Sequence, residues 1–327
     1  MKNWLSRLVS GSEAGTNASD AAAAGLEVED QERKLERIGK EIDAAYYRWL
    51  TASAGVNAPA ELENQILEQV EDLLGRPQEA AELVPRVPEV IVQLLRSLRD
   101  EEVSATELSR QVVQDVVLVA EVIREANSAY YRTMTPVKTV EAAIMMLGQN
   151  GLRMLLARIG FRPVIKMQSD GFSRQVAPHI WSQSEKCALA ASLMAPGLTA
   201  GVFESYLAGL MQNVGLVVAF RLADRVCPKG SVPGSSEFGV RLLACSRQLS
   251  AAIARHWDFP VEVANAIMAA ADPGESNLAR ALAQGDRIAK LSLLLDACVL
   301  ADDDALVSEG LDSFQRRCLG KLSKLES

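Results

Sequence analysis

Glu125-Ala126-Asn127-Ser128-Ala129-Tyr130-Tyr131, followed by Val137-Lys138-Thr139-Val140-Glu141-Ala142-Ala143-Ile144-Met145-Met146-Leu147-Gly148, is the stretch on which the fold turns. Asp115 stands where an N-cap belongs, and the apolar period behind it predicts a helix ending at Asn127, a frequent helix C-terminal residue. An irregular segment through Pro136 separates it from a second helix, opened by Thr139 and Glu141 and stopped at Gly148. Asn127 and Ser128 read as a structural corner, since small polar side chains at a helix end bond the local backbone.

Helical periodicity continues on both sides of this corner. Upstream, Val84-Pro85-Arg86-Val87-Pro88 restricts the backbone before a helix over 89–99, with Val90, Ile91, Leu94, Leu95 and Leu98 on one face. Ser104 stands three residues before Glu107, a capping-box spacing. Downstream, helices are expected at about 151–160, 173–194, 203–226, 237–257, 261–271 and 277–295, with a last one over roughly 305–322. No run of alternating β-branched residues with hairpin turns is found. The fold class expected is all-α, a multi-helix domain over 79–295 with a C-terminal helix within 296–327 packing on it.

Residues 1–28 read as a flexible tail, because the Ala, Gly, Ser and acidic composition of 11–25 cannot offset its ordering entropy. Within it, Trp4, Leu5 and Leu8 share one face of a short N-terminal turn. From Glu29, Leu35, Ile38, Ile42, Tyr46 and Trp49 recur at steps of three and four. Asn57 and Pro59 open a second helix, with Leu62, Ile66, Val70 and Leu73 on one face and Gly75 ending it. Residues 29–78 thus read as an antiparallel helical hairpin. Neither helix can bury its stripe alone, so the pair must pack on the next domain or on another chain.

Composition narrows the function classes. The 327 residues are 49% apolar, with 34 Lys and Arg against 42 Asp and Glu, a net charge of −8. Without a basic face, binding to nucleic acid is disfavoured. The five cysteines are widely spaced and form no CxxC pair, which fits reduced thiols buried in helices and a cytoplasmic protein. No uninterrupted apolar stretch approaches the ~18–20 residues of a membrane span. Met145, Met146 and Met211 read as core fillers.

The order of these pieces resembles the first half of an HDOD domain: Val84-Pro85-Arg86-Val87-Pro88, Asp115, the Asn-Ser-Ala-Tyr segment, then the Ala-Ile-x-x-Leu-Gly helix. The resemblance extends over about Ala81 to Leu295, roughly two-thirds of the chain. It implies a compact helical fold related to the HD phosphohydrolases and a place in bacterial signalling. It also marks Pro85, Pro88, Asp115, Asn127, Ser128, Gly148 and Trp181 as structural motif positions.

In HD enzymes, His and Asp side chains from several helices gather one or two divalent metals that activate water. The resemblance places those positions here at residues of other chemistry. Trp181-Ser182-Gln183-Ser184 has Gln183 where the family has His. Gly209-Leu210-Met211-Gln212-Asn213-Val214-Gly215 has Gln212 and Asn213 in place of His-Asp. Ser246 stands at a further His place, and Ala270 and Ala271 stand at a His pair. Asp286 alone keeps a ligand-type side chain. Amides lack a basic nitrogen and a negative charge, so the set is too poor for Zn²⁺, Fe, Mg²⁺ or Ca²⁺. The chain's two histidines, His179 and His256, fall on none of these positions. His179 reads as a helix-entry or surface residue, and His256 as a partner for the last carbonyls of its helix.

The expectation is therefore a protein with no catalytic residues, no metal and no cofactor, acting in signal transduction through contacts with signalling proteins of unknown identity. The helix pair is expected to supply a homodimer contact or a docking module. Two readings of the vestigial positions stay open. One is a relic in which amides bond across a filled cavity, the other a pocket that still holds a nucleotide or second messenger. A metal-dependent phosphohydrolase is the reading that these replacements oppose.

Overall fold

The computed structural model describes residues 18–52, 55–85, 105–127, 135–165 and 171–322. The expected helix over 89–99, the Ser104 capping box, Pro88, Ser128 and the turn at Met1–Leu8 lie outside them. In chain order the elements are α1 (Ala18–Thr51), β1 (Val56–Asn57), α2 (Ala60–Leu74), α3 (Pro77–Glu82), α4 (Ala105–Val112), α5 (Val116–Ala126), α6 (Val140–Ile165), α7 (Phe172–Met194), a 3₁₀ turn (Ala195–Leu198), α8 (Val202–Met211), α9 (Val214–Val226), β2 (Ser231–Val232), α10 (Ser236–His256), α11 (Val261–Ala269), α12 (Asn277–Asp296), α13 (Ala305–Ser308) and α14 (Ser313–Leu322). Among the described residues the fold is all-α apart from one short parallel bridge, Val56 with Ser231 and Asn57 with Val232.

The corner around Asn127 is built from side-chain bonds. Asp115 caps α5, its Oδ1 accepting from the amides of Val117 at 2.8 Å and Leu118 at 3.2 Å. Asn127 closes the other end: its Nδ2 donates to the carbonyls of Ile123 and Val137, both at 2.8 Å, and its Oδ1 accepts from Val137 N at 2.7 Å. The two helices expected around Gly148 are joined as α6, with Gly148 (φ 67°, ψ 175°) bending the axis between them. Met145 is 79% exposed rather than in the core. Ile144 and Leu147 take the buried face, and Met145 points about 100° away from Ile144 around the helix.

The central helix is α7, packed against α8 on one side and α12 on another, with α9 and α10 completing the body. Glycines let these axes approach: a Cβ on Gly285 of α12 would lie 2.6 Å from Ala191 N of α7, and one on Gly215 of α9 would lie 2.1 Å from Ser246 O of α10. Because the Gly215 neighbour is backbone and cannot swing aside, Gly215→Val should destabilise by about 1–3 kcal/mol or more, measured as a lowered urea midpoint. The segment Val202–Val226 has the length and composition to cross a membrane, but it is two helices broken at Gln212–Asn213, and 89% of its most apolar window is buried inside the fold.

Three expectations need correction. The first helix begins at Ala18, inside the segment expected to be a flexible tail. Alanine is the strongest helix former and the segment has no proline, so propensity carries the helix back beyond its apolar stripe. Second, α1 and α2 do not pack side by side as an antiparallel pair, although each does pack on the next domain as its unburied stripe required. Their main contacts are with the body: α1 lies on α10 and α12, and α2 on α9 and α10. Tyr46, Tyr47, Leu50, Ile66, Leu67 and Val70 are buried in the same cluster as Phe220, Phe238 and Leu242. Tyr47 Oη donates to Pro233 O at 2.6 Å, and Glu63 accepts from Ser235 N at 2.9 Å.

Third, the C-terminal helix is two. Gly310 breaks it, where a Cβ would lie 2.2 Å from Leu306 O, and Asp312 starts α14 by accepting from Phe314 N at 2.7 Å and Gln315 N at 2.8 Å. Val307, Leu319 and Leu322 form a second, smaller core with Ile38 and Ile42 of α1 and Leu291 of α12. The cysteines are all free thiols, but only Cys187 and Cys318 are buried, and Cys298 is exposed just beyond α12.

Candidate functional site

Of the positions singled out from the sequence, Gln183 lies on α7, Gln212 and Asn213 at the α8–α9 junction and Asp286 on α12, and the fold brings these four to one point. Gln183 of α7 donates from Nε2 to Asp286 Oδ1 at 2.5 Å, and Gln212 Nε2 donates to the same oxygen at 3.0 Å. Asn213 Nδ2 donates to Gln183 Oε1 and, at 2.9 Å, to Ser184 Oγ. Gln212 Nε2 also lies 3.0 Å from Cys187 Sγ. Burial, with Asp286 nearby, pushes that thiol well above its ordinary pKa, so it stays neutral.

Two cations complete the cluster. Lys290, one helical turn after Asp286, places Nζ 2.6 Å from Asp286 Oδ2 and 2.6 Å from Asp43 Oδ1. Arg247 of α10 reaches Asp43 Oδ2 at 3.2 Å and Asp286 Oδ2 at 3.3 Å. Asp43 comes from α1. Burial pushes its carboxyl up, but Lys290 and Arg247 more than reverse this and hold it below the ordinary carboxylate range. Burial likewise pulls Lys290 down, and Asp286 and Asp43 hold it above its usual value. Two positive and two negative side chains thus balance inside the fold.

The remaining predicted positions contribute differently. Ser246 is buried on α10, but its hydroxyl donates to Leu243 O of its own helix at 3.0 Å. The polar group that α10 sends to the cluster is its neighbour Arg247. Ala270 is buried at the end of α11 and Ala271 is exposed just beyond it, and neither has a polar side-chain atom to add. Trp181 faces elsewhere, lining an open cleft of about 380 Å³ with Val117, Arg124, Ile159 and Arg162. His179 is exposed partway along α7, edge-on to Trp49 at 4.7 Å between ring centres. His256 is the last residue of α10.

Sequence reasoning missed Asp43, Arg247 and Lys290. The i, i+4 spacing of Asp286 and Lys290 was a readable signal for an ion pair on one helix face. Arg247 adjoins a position already singled out. Nothing local marks Asp43, whose partners lie more than two hundred residues away in the chain.

The geometry bears directly on metal binding. A carboxylate offers about four lone-pair sites. Those of Asp286 face four donors, from Gln183, Gln212, Lys290 and Arg247. The amide groups turned toward Asp286 present N–H hydrogens rather than oxygens. This donor set does not fit a divalent cation, which would also meet an ammonium and a guanidinium. Among the described residues no group of three or more His, Cys, Asp or Glu could hold a metal.

Residues 84–273 match the HDOD domain profile, over half of the chain. The chain belongs to the HDOD domain family. An HDOD domain protein of unknown function from Geobacter sulfurreducens is similar in fold, with a TM-score of 0.55 and 20% identity, covering 78% of this chain and 95% of that one. A protein from Shewanella amazonensis SB2B, named as a proposed metal-dependent phosphohydrolase, has a TM-score of 0.57 at 18% identity, covering 82% of this chain and all of the other. A proposed signal transduction protein from Marinobacter aquaeolei VT8 has a TM-score of 0.51 at 22% identity, covering 84% of this chain and 65% of the other. An uncharacterised protein of Treponema pallidum is 23% identical over 194 residues, which span 56% of this chain and 37% of that relative's length. Asp43, Asp286 and Lys290 lie outside the HDOD match, so half of the ion cluster's positive charge and both of its carboxylates come from flanking sequence.

Proposed function

We propose that this HDOD protein is a noncatalytic, cytoplasmic signal-transduction adaptor of bacteria that works by holding partner proteins. The observation that carries this reading is the occupation of Asp286 by four hydrogen-bond donors, two of them cations, in the place where an HD enzyme gathers its metal. A phosphohydrolase needs a Lewis acid or an activated water there, and this cluster supplies neither a ligand set nor a basic imidazole. The acidic composition favours protein partners over nucleic acid. A second reading, a sensor that binds an anionic ligand without cleaving it, draws support from the two cations at the same point.

Full-length protein purified without chelator should carry substoichiometric Mn, Fe, Zn and Mg by elemental analysis. It should also leave bis(p-nitrophenyl) phosphate intact with each metal added. Stoichiometric metal together with turnover would replace the adaptor reading by the enzyme reading. Partners are sought by affinity capture of the full chain from its native cells, followed by reconstitution from purified components.

A further inference from the structure

Leaving Asp43 aside, the cluster holds two cations, Arg247 and Lys290, against one carboxylate, Asp286, a net charge of +1. Asp43 supplies the one balancing negative charge, and does so as a bound oxyanion would. One of its oxygens faces the Lys290 ammonium and the other the Arg247 guanidinium. The cluster is graded from inside to outside: the Lys290 side chain is 4% exposed, that of Arg247 16% and that of Asp43 22%. Its mouth therefore lies at Asp43 and Arg247. Two buried polar atoms at the cluster also lack partners, Tyr46 Oη and Gln212 Oε1. Tyr46 lies beneath Lys290, with Nζ 5.6 Å from the ring centre.

We propose that Arg247 and Lys290 form a receptor for a monoanionic oxyanion, a carboxylate or a phosphodiester, with Asp43 as its tethered occupant. A ligand entering beside Arg247 displaces the Asp43 side chain into solvent. Helix α1 stays in place, because Ile42, Tyr46, Tyr47 and Leu50 remain buried in the body. Charge among the directly paired groups sets the ligand class: one negative charge takes the place of that of Asp43, whereas a phosphomonoester, at about −1.5 to −2 near pH 7, exceeds it. The inference rests on the noncatalytic reading of the site, and its test is independent of metal content.

Full-length wild type, Asp43→Ala and Asp43→Ala/Lys290→Met are titrated with acetate, with dimethyl phosphate, and with chloride at matched ionic strength. Thermal unfolding and the Arg247 side-chain NMR resonance are followed. Asp43→Ala should melt below wild type, and an oxyanion should recover much of that loss saturably while chloride does not. The double variant should recover nothing. In wild type the same oxyanion should move the Arg247 resonance, at higher concentration because Asp43 competes. Recovery by acetate alone or by dimethyl phosphate alone narrows the ligand to that chemistry. Equal effects of chloride and oxyanion, recovery that survives Lys290→Met, or an Arg247 resonance in wild type that no oxyanion moves would each overturn the proposal. If Asp43→Ala does not fold, Asp43→Asn keeps the shape without the charge and is read by the same outcomes.

Discussion

Lys290→Met is expected to cost about 3–5 kcal/mol of stability near neutral pH, because it keeps the side-chain stem but removes the ammonium that Asp43 and Asp286 share, leaving Arg247 as the cation in direct contact with both. Asp43 can relieve part of the surplus negative charge by turning outward, whereas Asp286 stays buried. Removing the opposing carboxylate as well should return part of the loss, so Lys290→Met/Asp43→Leu is expected to be more stable than Lys290→Met. The double-mutant cycle should show about 1–3 kcal/mol of coupling. Urea unfolding by tryptophan fluorescence measures all three variants.

The pH dependence follows from the same charges. In the fold the Asp43 carboxyl lies below its ordinary value. Its contribution is therefore present above about pH 4, the unfolded value, and is lost as pH falls through the folded one. Lys290 lies above its ordinary value, so its contribution is complete below about pH 10.4 and is lost as pH rises through the folded value. Wild type should be flat between these limits with respect to this cluster. In Lys290→Met, protonating Asp43 removes the surplus charge, so the deficit relative to wild type should shrink as pH falls toward and through about 4. A deficit that is constant with pH would show that Lys290 acts by packing alone.

The second large effect concerns the chain's beginning. A protein lacking residues 1–80 should show no cooperative unfolding transition. That deletion uncovers the surface of α9 and α10 under Tyr47, Leu50, Ile66, Leu67 and Val70, all nearly fully buried. Each such side chain contributes about 1.5–3 kcal/mol, so together they match the roughly 5–15 kcal/mol by which a native domain is stable. The deletion also removes Asp43 from the ion cluster. Circular dichroism melts and amide dispersion in NMR test this, and a sharp transition near the wild-type temperature would refute it. The consequence for function is direct: lost partner binding in such a truncation would report unfolding, and would not assign recruitment to α1 and α2.

Much of the fold was legible because helices announce themselves locally. The Asp115 cap, the Asn127 corner and the Gly148 break depend on residues within a dozen positions of one another, and each lies where its side chain chemistry places it. The breaks at Gln212–Asn213 and at Gly310 were not read, because both interrupt otherwise continuous apolar periods. Met145 shows the limit of composition: an apolar residue beside buried neighbours is still turned outward by the helical step.

By itself, the sequence determined the all-α class, most of the helices and the HDOD membership, and it singled out Gln183, Gln212, Asn213 and Asp286 as positions of one place in the fold. Tertiary structure alone decided what fills that place. Ser246 and Arg247 are adjacent in sequence but about 100° apart on α10, and only the packing of that helix selects the guanidinium. Asp43 arrives from a helix whose docking surface no local pattern specifies. Periodicity fixes which face of a helix is apolar, whereas charge pairing depends on how helices far apart in the chain are rotated against one another.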